Sequence, residues 1–193
     1  MRDVDGRLGR VTTLRAVQAG EGLYSRHIKR ALDLLLVLLA LPFALPLALM
    51  AWVIVRLDGG PGLYGHARVG RNGQVFTCWK IRTMHADAGA RLVTLLATDP
   101  VAARAWDSHC KLPRDPRVTG IGRVLRRLSI DELPQLWNIA RGDMSFVGPR
   151  PVTATELDRY GARRRFYLAC RPGLTGLWQV SGRNRLSYEE RVT

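Results

Sequence analysis

One stretch constrains this chain more than any other. From Leu34 to Val55, 22 residues pass without a charge: LLLVLLALPFALPLALMAWVIV. As an unbroken helix it rises about 33 Å at roughly 1.5 Å per residue, matching a hydrocarbon core of about 30 Å. The plainer alternative is a buried helix of a soluble domain. Six turns that are apolar on every side exceed what a domain within 193 residues could cover. A cleaved signal peptide fits poorly, because the run is too long, starts deep in the chain and has no A-x-A site after it.

Pro42 and Pro46 sit near the middle of the run. Each removes a backbone donor and clashes with the carbonyl four residues back, so together they could break the helix into halves. Transmembrane helices do tolerate proline. The flanks are basic on both sides, with Arg26, His27, Lys29 and Arg30 before the run and Arg56 after it. Such flanks define no inside and outside. Spanning the bilayer and dipping into one leaflet both stay open on these grounds. The chain thus reads as a loose tail over 1–25, a membrane segment over 26–57 and a polar body over 58–193.

The whole chain carries a net charge of +14, from 27 Arg and 3 Lys against 16 acids. That excess favours keeping the body on the cytoplasmic side, and it seeks anions: nucleic acid, anionic lipid or phosphorylated small molecules. Arginine suits planar, bidentate phosphate contacts. Cys78, Cys110 and Cys170 show no C-x-x-C spacing, which argues against a disulfide scaffold or a cysteine-built zinc site. The five tryptophans are too scattered for a stacking platform, which weakens a single-stranded nucleic-acid reading.

The body reads as α/β with more helix than sheet. Leu63–Val69 and Gln74–Thr83 flank Arg71-Asn72-Gly73 and predict a hairpin. On the second strand Lys80 and Arg82 share one face; they could hold an anion or simply line a solvated edge. Helices are expected over 84–97, from Asp99-Pro100 as N-cap and first residue, over 121–128, over 132–140 and over 154–169. A short strand is expected at Leu177–Val180, and Ser187–Glu190 reads as a capping box.

The chemistry concentrates in Ser129-Ile-Asp131-Glu132-Leu-Pro134. Were Ser129 the N-cap, Pro134 would fall inside the hydrogen-bonded helix at a cost of ~3 kcal/mol. With Asp131 as N-cap, Pro134 falls where no intrahelical donor is needed. Asp131 and Glu132 are then expected at a helix start, where ionised carboxylates and bound phosphate are both favoured. A capping Asp beside an ordinary Glu explains the same pattern. The four histidines show no ligand spacing such as H-E-x-x-H, and no Gly-rich phosphate loop or G-x-S-x-G occurs.

Several runs taken in order go further. They are Lys29-Arg30-x-x-Asp33, the apolar segment with Pro46, Lys80-Ile-Arg82-Thr-Met84, Asp115-Pro-Arg117-Val-Thr and Leu-Ser129-Ile-Asp131-Glu132-Leu-Pro-Gln135-Leu. Gly142-Asp-Met-Ser-Phe-Val-Gly-Pro149-Arg150-Pro151 and Arg171-Pro-Gly-Leu-Thr-Gly-x-Trp-Gln-Val-Ser-Gly-Arg183 complete the series. From about residue 26 to the end, the chain resembles the bacterial sugar transferases, monotopic phosphoglycosyl transferases that start exopolysaccharide and O-antigen synthesis.

The resemblance implies transfer of hexose 1-phosphate from a UDP-sugar to a polyprenyl phosphate, usually undecaprenyl phosphate, with Mg²⁺. Glucose and galactose are the implied sugars, since Ser-Gly-Arg-Asn-Arg185 is similar to exopolysaccharide branches of the family. It implies Asp131 as nucleophile, Glu132 with Asp131 at the metal, and Arg126 and Arg150 on phosphate groups. It also implies a re-entrant helix that enters one leaflet of the inner membrane from the cytoplasm and breaks at a Ser-Pro pair. Here the pair is Leu45-Pro46. Chains of the family normally continue past this C-terminus. A membrane-tethered basic module that binds nucleic acid or anionic lipid is the competing reading; it accounts for the charge but gives no reason for Asp131-Glu132.

Overall fold

The apolar run forms one helix, α1 (Lys29–Leu57), with Pro42 and Pro46 inside it. The structure is a computed structural model that describes residues 27–57, 59–109, 112 and 115–176. The tail, the strand expected at Leu177–Val180 and the capping box at Ser187 lie outside those residues. The prolines do not divide the run into two helices. Each removes only one donor, and apolar surroundings leave a backbone no better option than to stay helical around it. The described residues do not cover α1 as a core helix would be covered: Phe43 is 81% exposed, and Leu38, Leu39 and Leu45 are exposed as well.

After α1 come β1 (Leu63–Val69) and β2 (Val75–Ile81), paired as the expected hairpin. Asn72 and Gly73 both take positive φ in the connecting turn, which is why that dipeptide marks it. Then follow α2 (Ala88–Thr98), α3 (Pro100–His109), α4 (Gly120–Arg127), α5 (Gln135–Arg141), β3 (Ser145–Val147), α6 (Ala154–Asp158), α7 (Arg164–Ala169) and β4 (Gly173–Thr175). Asp99 caps α3 as expected, its Oδ1 accepting from Val101 N and Ala102 N at 2.8 and 3.0 Å. The α2 helix starts later than expected because Met84 is drawn into a bridge with Val118. The helix expected over 154–169 is interrupted, since Gly161 adopts a positive φ between α6 and α7.

The chain divides into two compact units. The first takes in α1 up to Leu38, His66–Cys78 and the chain from Gln135 onward. Charged groups in an apolar helix need partners, and the start of α1 finds them here. Lys29 Nζ donates to the Val147 carbonyl at 2.7 Å. Arg30 donates to the carbonyls of Ile139 and Ala140, near the end of α5. Buried Asp33 accepts from Ser145 Oγ and Phe146 N at 3.0 and 3.1 Å. Val69, Val152, Leu157 and Tyr167 form the apolar core of this unit.

β3 and β4 pair in parallel, Ser145 against Gly173 and Val147 against Thr175. Neither strand is among those the sequence predicts. Their pairing depends on a close approach at Gly148, where a Cβ would overlap the Arg171 carbonyl.

The second unit takes in Leu39–Gly65 and Trp79–Pro134. Its core is Ala51 and Val55 of α1, Ile81 of β2 and Leu125 of α4, with Ala48 and Ile130 packed against it. Thr119 caps α4 by accepting from Gly122 N at 2.8 Å. Asp115 and Arg117 form a two-point ion pair at 2.7–2.8 Å in the loop before α4.

Gly148→Ala is expected to destabilise the fold by about 1–3 kcal/mol, because the obstacle is backbone rather than a flexible side chain. Gly89→Ala, in α2 with nothing near its Cβ, should be neutral or stabilising. Thermal unfolding of both variants in detergent checks the pair; equal melting temperatures would show that the close approach does not matter.

Candidate active site

The site is built on the end of β2, in the second unit. Lys80 is the sixth residue of that strand, and its Nζ donates to Glu132 Oε1 at 2.6 Å. Both side chains keep about a third or less of their surface exposed, so the pair is only partly screened by water. Arg126, in the last turn of α4, donates from Nε to Thr83 Oγ1 at 2.8 Å.

Between α4 and α5 the chain turns sharply. Ser129 takes the left-handed conformation at φ 58°, an uncommon state for a residue with a Cβ. Ile130–Glu132 then form one turn of 3₁₀ helix, with Glu132 N and Leu133 N donating to the carbonyls of Ser129 and Ile130. This corrects the expected N-cap at Asp131: the α-helix begins only at Gln135. Pro134, which supplies no N–H, lies between the 3₁₀ turn and that helix. Ile130 packs on the apolar core and thereby anchors the turn.

Asp131 is 7% exposed. Burial pushes its carboxyl above the ordinary value; neighbouring Glu132 adds to the rise, while Lys80 and Arg126 oppose it. The sequence reading expects a helix terminus to keep this carboxylate charged. In the structure the two cations oppose burial without cancelling it.

Of the cations expected to meet phosphate, Lys80 and Arg126 act electrically on Asp131. Arg82 is placed differently. β2 ends at Ile81, and Arg82 lies past it, 8% exposed. Its Nη2 donates to the Val55 carbonyl at 3.1 Å and to the Gly59 carbonyl. Arg82 therefore closes the C-terminal end of α1, and the shared strand face expected for Lys80 and Arg82 does not form. Arg150 belongs to the first unit. Burial raises the Glu156 carboxyl there, but Thr153 N–H, Arg68 and Arg150 outweigh it and hold it below its ordinary value. Pro42 and Pro46 lie in the middle of α1.

Thr83 is a site residue that charge-based reading misses. It stands out only as part of the Lys80–Met84 run, whose side chains reach Glu132, α1 and Arg126 in turn. Among the described residues no cluster of three His, Cys, Asp or Glu side chains could hold a metal by itself. Two adjacent carboxylates do fit a hard cation that takes its remaining oxygens from phosphate and water, as Mg²⁺ does.

Residues 24–193 match the bacterial sugar transferase family. The chain belongs to that family. It is similar to the exopolysaccharide production protein ExoY of Sinorhizobium fredii, with 52% identity over 85% of this chain and 73% of that protein. It is 49% identical to the undecaprenyl-phosphate galactose phosphotransferase of Salmonella typhimurium over 87% of this chain. It is 43% identical to the UDP-glucose:undecaprenyl-phosphate glucose-1-phosphate transferase of Caulobacter vibrioides, over 80% of this chain and 54% of that protein. The chain spans 35% of the length of the Salmonella protein.

The raised Asp131 carboxyl carries a stability consequence. The folded state holds more protons than the unfolded one between the ordinary and the raised value, so this group makes stability fall as pH rises through that window. Asp131→Asn removes the cost of ionising a buried acid. In detergent the variant should melt above the parent at neutral pH, the gain shrinking as pH falls toward the ordinary value of 3.8. A gain of the same size at every pH would assign the effect to packing.

Proposed function

We propose that this chain transfers hexose 1-phosphate from a UDP-sugar, UDP-galactose or UDP-glucose, to undecaprenyl phosphate in exopolysaccharide synthesis. The observation that carries the reading is a buried carboxylate, Asp131, set beside the Lys80–Glu132 pair and Arg126. It sits in a chain whose relatives are named for such transfers.

In the proposed mechanism an Asp131 carboxylate oxygen attacks the sugar-bearing phosphorus of the donor. The bond from that phosphorus to the oxygen bridging to the uridylate breaks, and UMP leaves with the electron pair. An oxygen of undecaprenyl phosphate then attacks the same phosphorus of the aspartyl phospho-hexose and restores the carboxylate. Splitting one transfer in two lets a modest nucleophile serve. Arg126 and Arg150 are assigned to phosphate groups of donor or acceptor, since a guanidinium offers paired donors that an ammonium does not. Lys80 holds Glu132 in place and offsets the charge at Asp131. Arg82, expected as a phosphate ligand, serves the site by fixing the end of α1. Glu132 and Asp131 would hold Mg²⁺, which supplies neutralisation of the diphosphate oxygens.

The membrane arrangement follows from which residues hold α1. Its first turns are held by residues 139–147 and its last by residues 81, 82 and 125. Among the described residues α1 is the one helix long and apolar enough to cross a bilayer. A straight crossing would send its two ends to opposite compartments, and among the described residues between 82 and 139 no helix is long and apolar enough to return the chain. These contacts support an α1 that enters and leaves the cytoplasmic leaflet, bent at Pro42 and Pro46. On α4 and at its C-cap, exposed Ile121, Val124 and Leu128 beside Arg123 and Arg127 suit a headgroup boundary.

UMP release from UDP-galactose or UDP-glucose, with solubilised protein, undecaprenyl phosphate and Mg²⁺, tests the reading. Activity should vanish in Asp131→Asn and fall by about tenfold or more in Arg126→Lys and Arg150→Lys. Nucleic-acid binding with a steep salt slope and no UMP would favour the basic-module reading.

For topology, cysteines replace His27 and Gly89 in a background without native ones. Both should resist an impermeant thiol reagent in intact spheroplasts. Labelling of one alone before lysis would show a spanning helix.

A further inference from the structure

The loop after β2 meets α4 at two points, and both contacts run through Thr83. The Thr83 carbonyl accepts from Thr119 N at 3.1 Å, at the start of α4. Gly122 stands against that same carbonyl, where any Cβ would overlap it. The Thr83 hydroxyl accepts from Arg126 Nε at 2.8 Å, in the last turn of the helix. Arg126 makes no other hydrogen bond among the described residues, so its Nη1 and Nη2 remain for a ligand. Thr83 itself is buried, which excludes water as a substitute acceptor.

We propose that Thr83 is a positioning residue for the transfer, holding the Arg126 guanidinium by its Nε so that the two outer nitrogens face a phosphate of the donor. The inference rests on the phosphate role assigned to Arg126 above. An arginine is long and rotamer-rich, and fixing Nε removes most of its freedom before substrate arrives. The planar fork then keeps its paired donors for bidentate recognition. Valine at position 83 keeps the branched shape and the backbone carbonyl and removes only the acceptor.

The test is a double-mutant cycle on the full chain in detergent, with UDP-galactose, undecaprenyl phosphate and Mg²⁺, reading kcat/KM for the donor. Thr83→Val should lose about tenfold, the scale of one hydrogen bond to a charged group. Thr83→Ser, which restores the hydroxyl, should stay near the parent. In an Arg126→Ala background, Thr83→Val should cause no further loss. Parental kinetics in Thr83→Val would overturn the inference. So would the same tenfold loss in the Arg126→Ala background, which would mean that Thr83 acts through the fold; either result leaves the proposed function standing. Parental kinetics in Arg126→Ala would remove the phosphate role of Arg126 and the inference with it.

Discussion

A helix leaves its last carbonyls without intrahelical donors, and at the end of α1 a buried guanidinium supplies one. Arg82 Nη2 donates to Val55 at the end of α1 and to Gly59 in the turn after it. Positive charge at a helix C-terminus also complements the helix dipole. Because Arg82 follows β2 directly, this one contact fixes more than α1. Ile81 packs into the core of Ala51, Val55 and Leu125, Lys80 reaches Glu132, and Thr83 receives Arg126. A segment of four residues thus ties the end of α1 to the charges around Asp131, and a displaced helix end would displace them too.

The electrostatics of Asp131 express a compromise. Burial keeps water from the Asp131 carboxylate but favours its neutral form. Lys80 and Arg126 counter that without a direct ion pair to Asp131, since Lys80 is bonded to Glu132 and Arg126 to Thr83. A carboxylate locked into its own salt bridge would be a weaker nucleophile. Charge held one residue away lowers the cost of ionisation and, in the proposed mechanism, would leave the oxygen lone pairs for phosphorus.

What the sequence revealed follows from how local each signal is. α1 was legible because apolarity over six turns needs no tertiary partner. The hairpin was legible because Asn72 and Gly73 take conformations that few residues tolerate. The cap of α3 was legible in Asp99-Pro100 alone. Tertiary facts were not. The parallel pairing of β3 with β4 depends on a close approach of Gly148 to the Arg171–Gly173 backbone, which no pattern within either strand announces. Strand alternation put Arg82 beside Lys80, but it does so only while the strand continues, and β2 stops one residue short. The Asp131-Glu132 dyad was visible as a motif. Its 3₁₀ turn and the burial of Asp131 depend on Ile130 reaching a core that lies far away in sequence.

The most direct measurement supplies donor and Mg²⁺ to the solubilised chain and withholds the acceptor. A covalent aspartyl intermediate requires a burst of UMP of about one equivalent per chain. It also requires a hexose-phosphate adduct on the peptide that contains Asp131, discharged when undecaprenyl phosphate is added. Full turnover with acceptor present, but neither burst nor adduct in its absence, would contradict the account and mean that the hexose phosphate passes directly from donor to lipid.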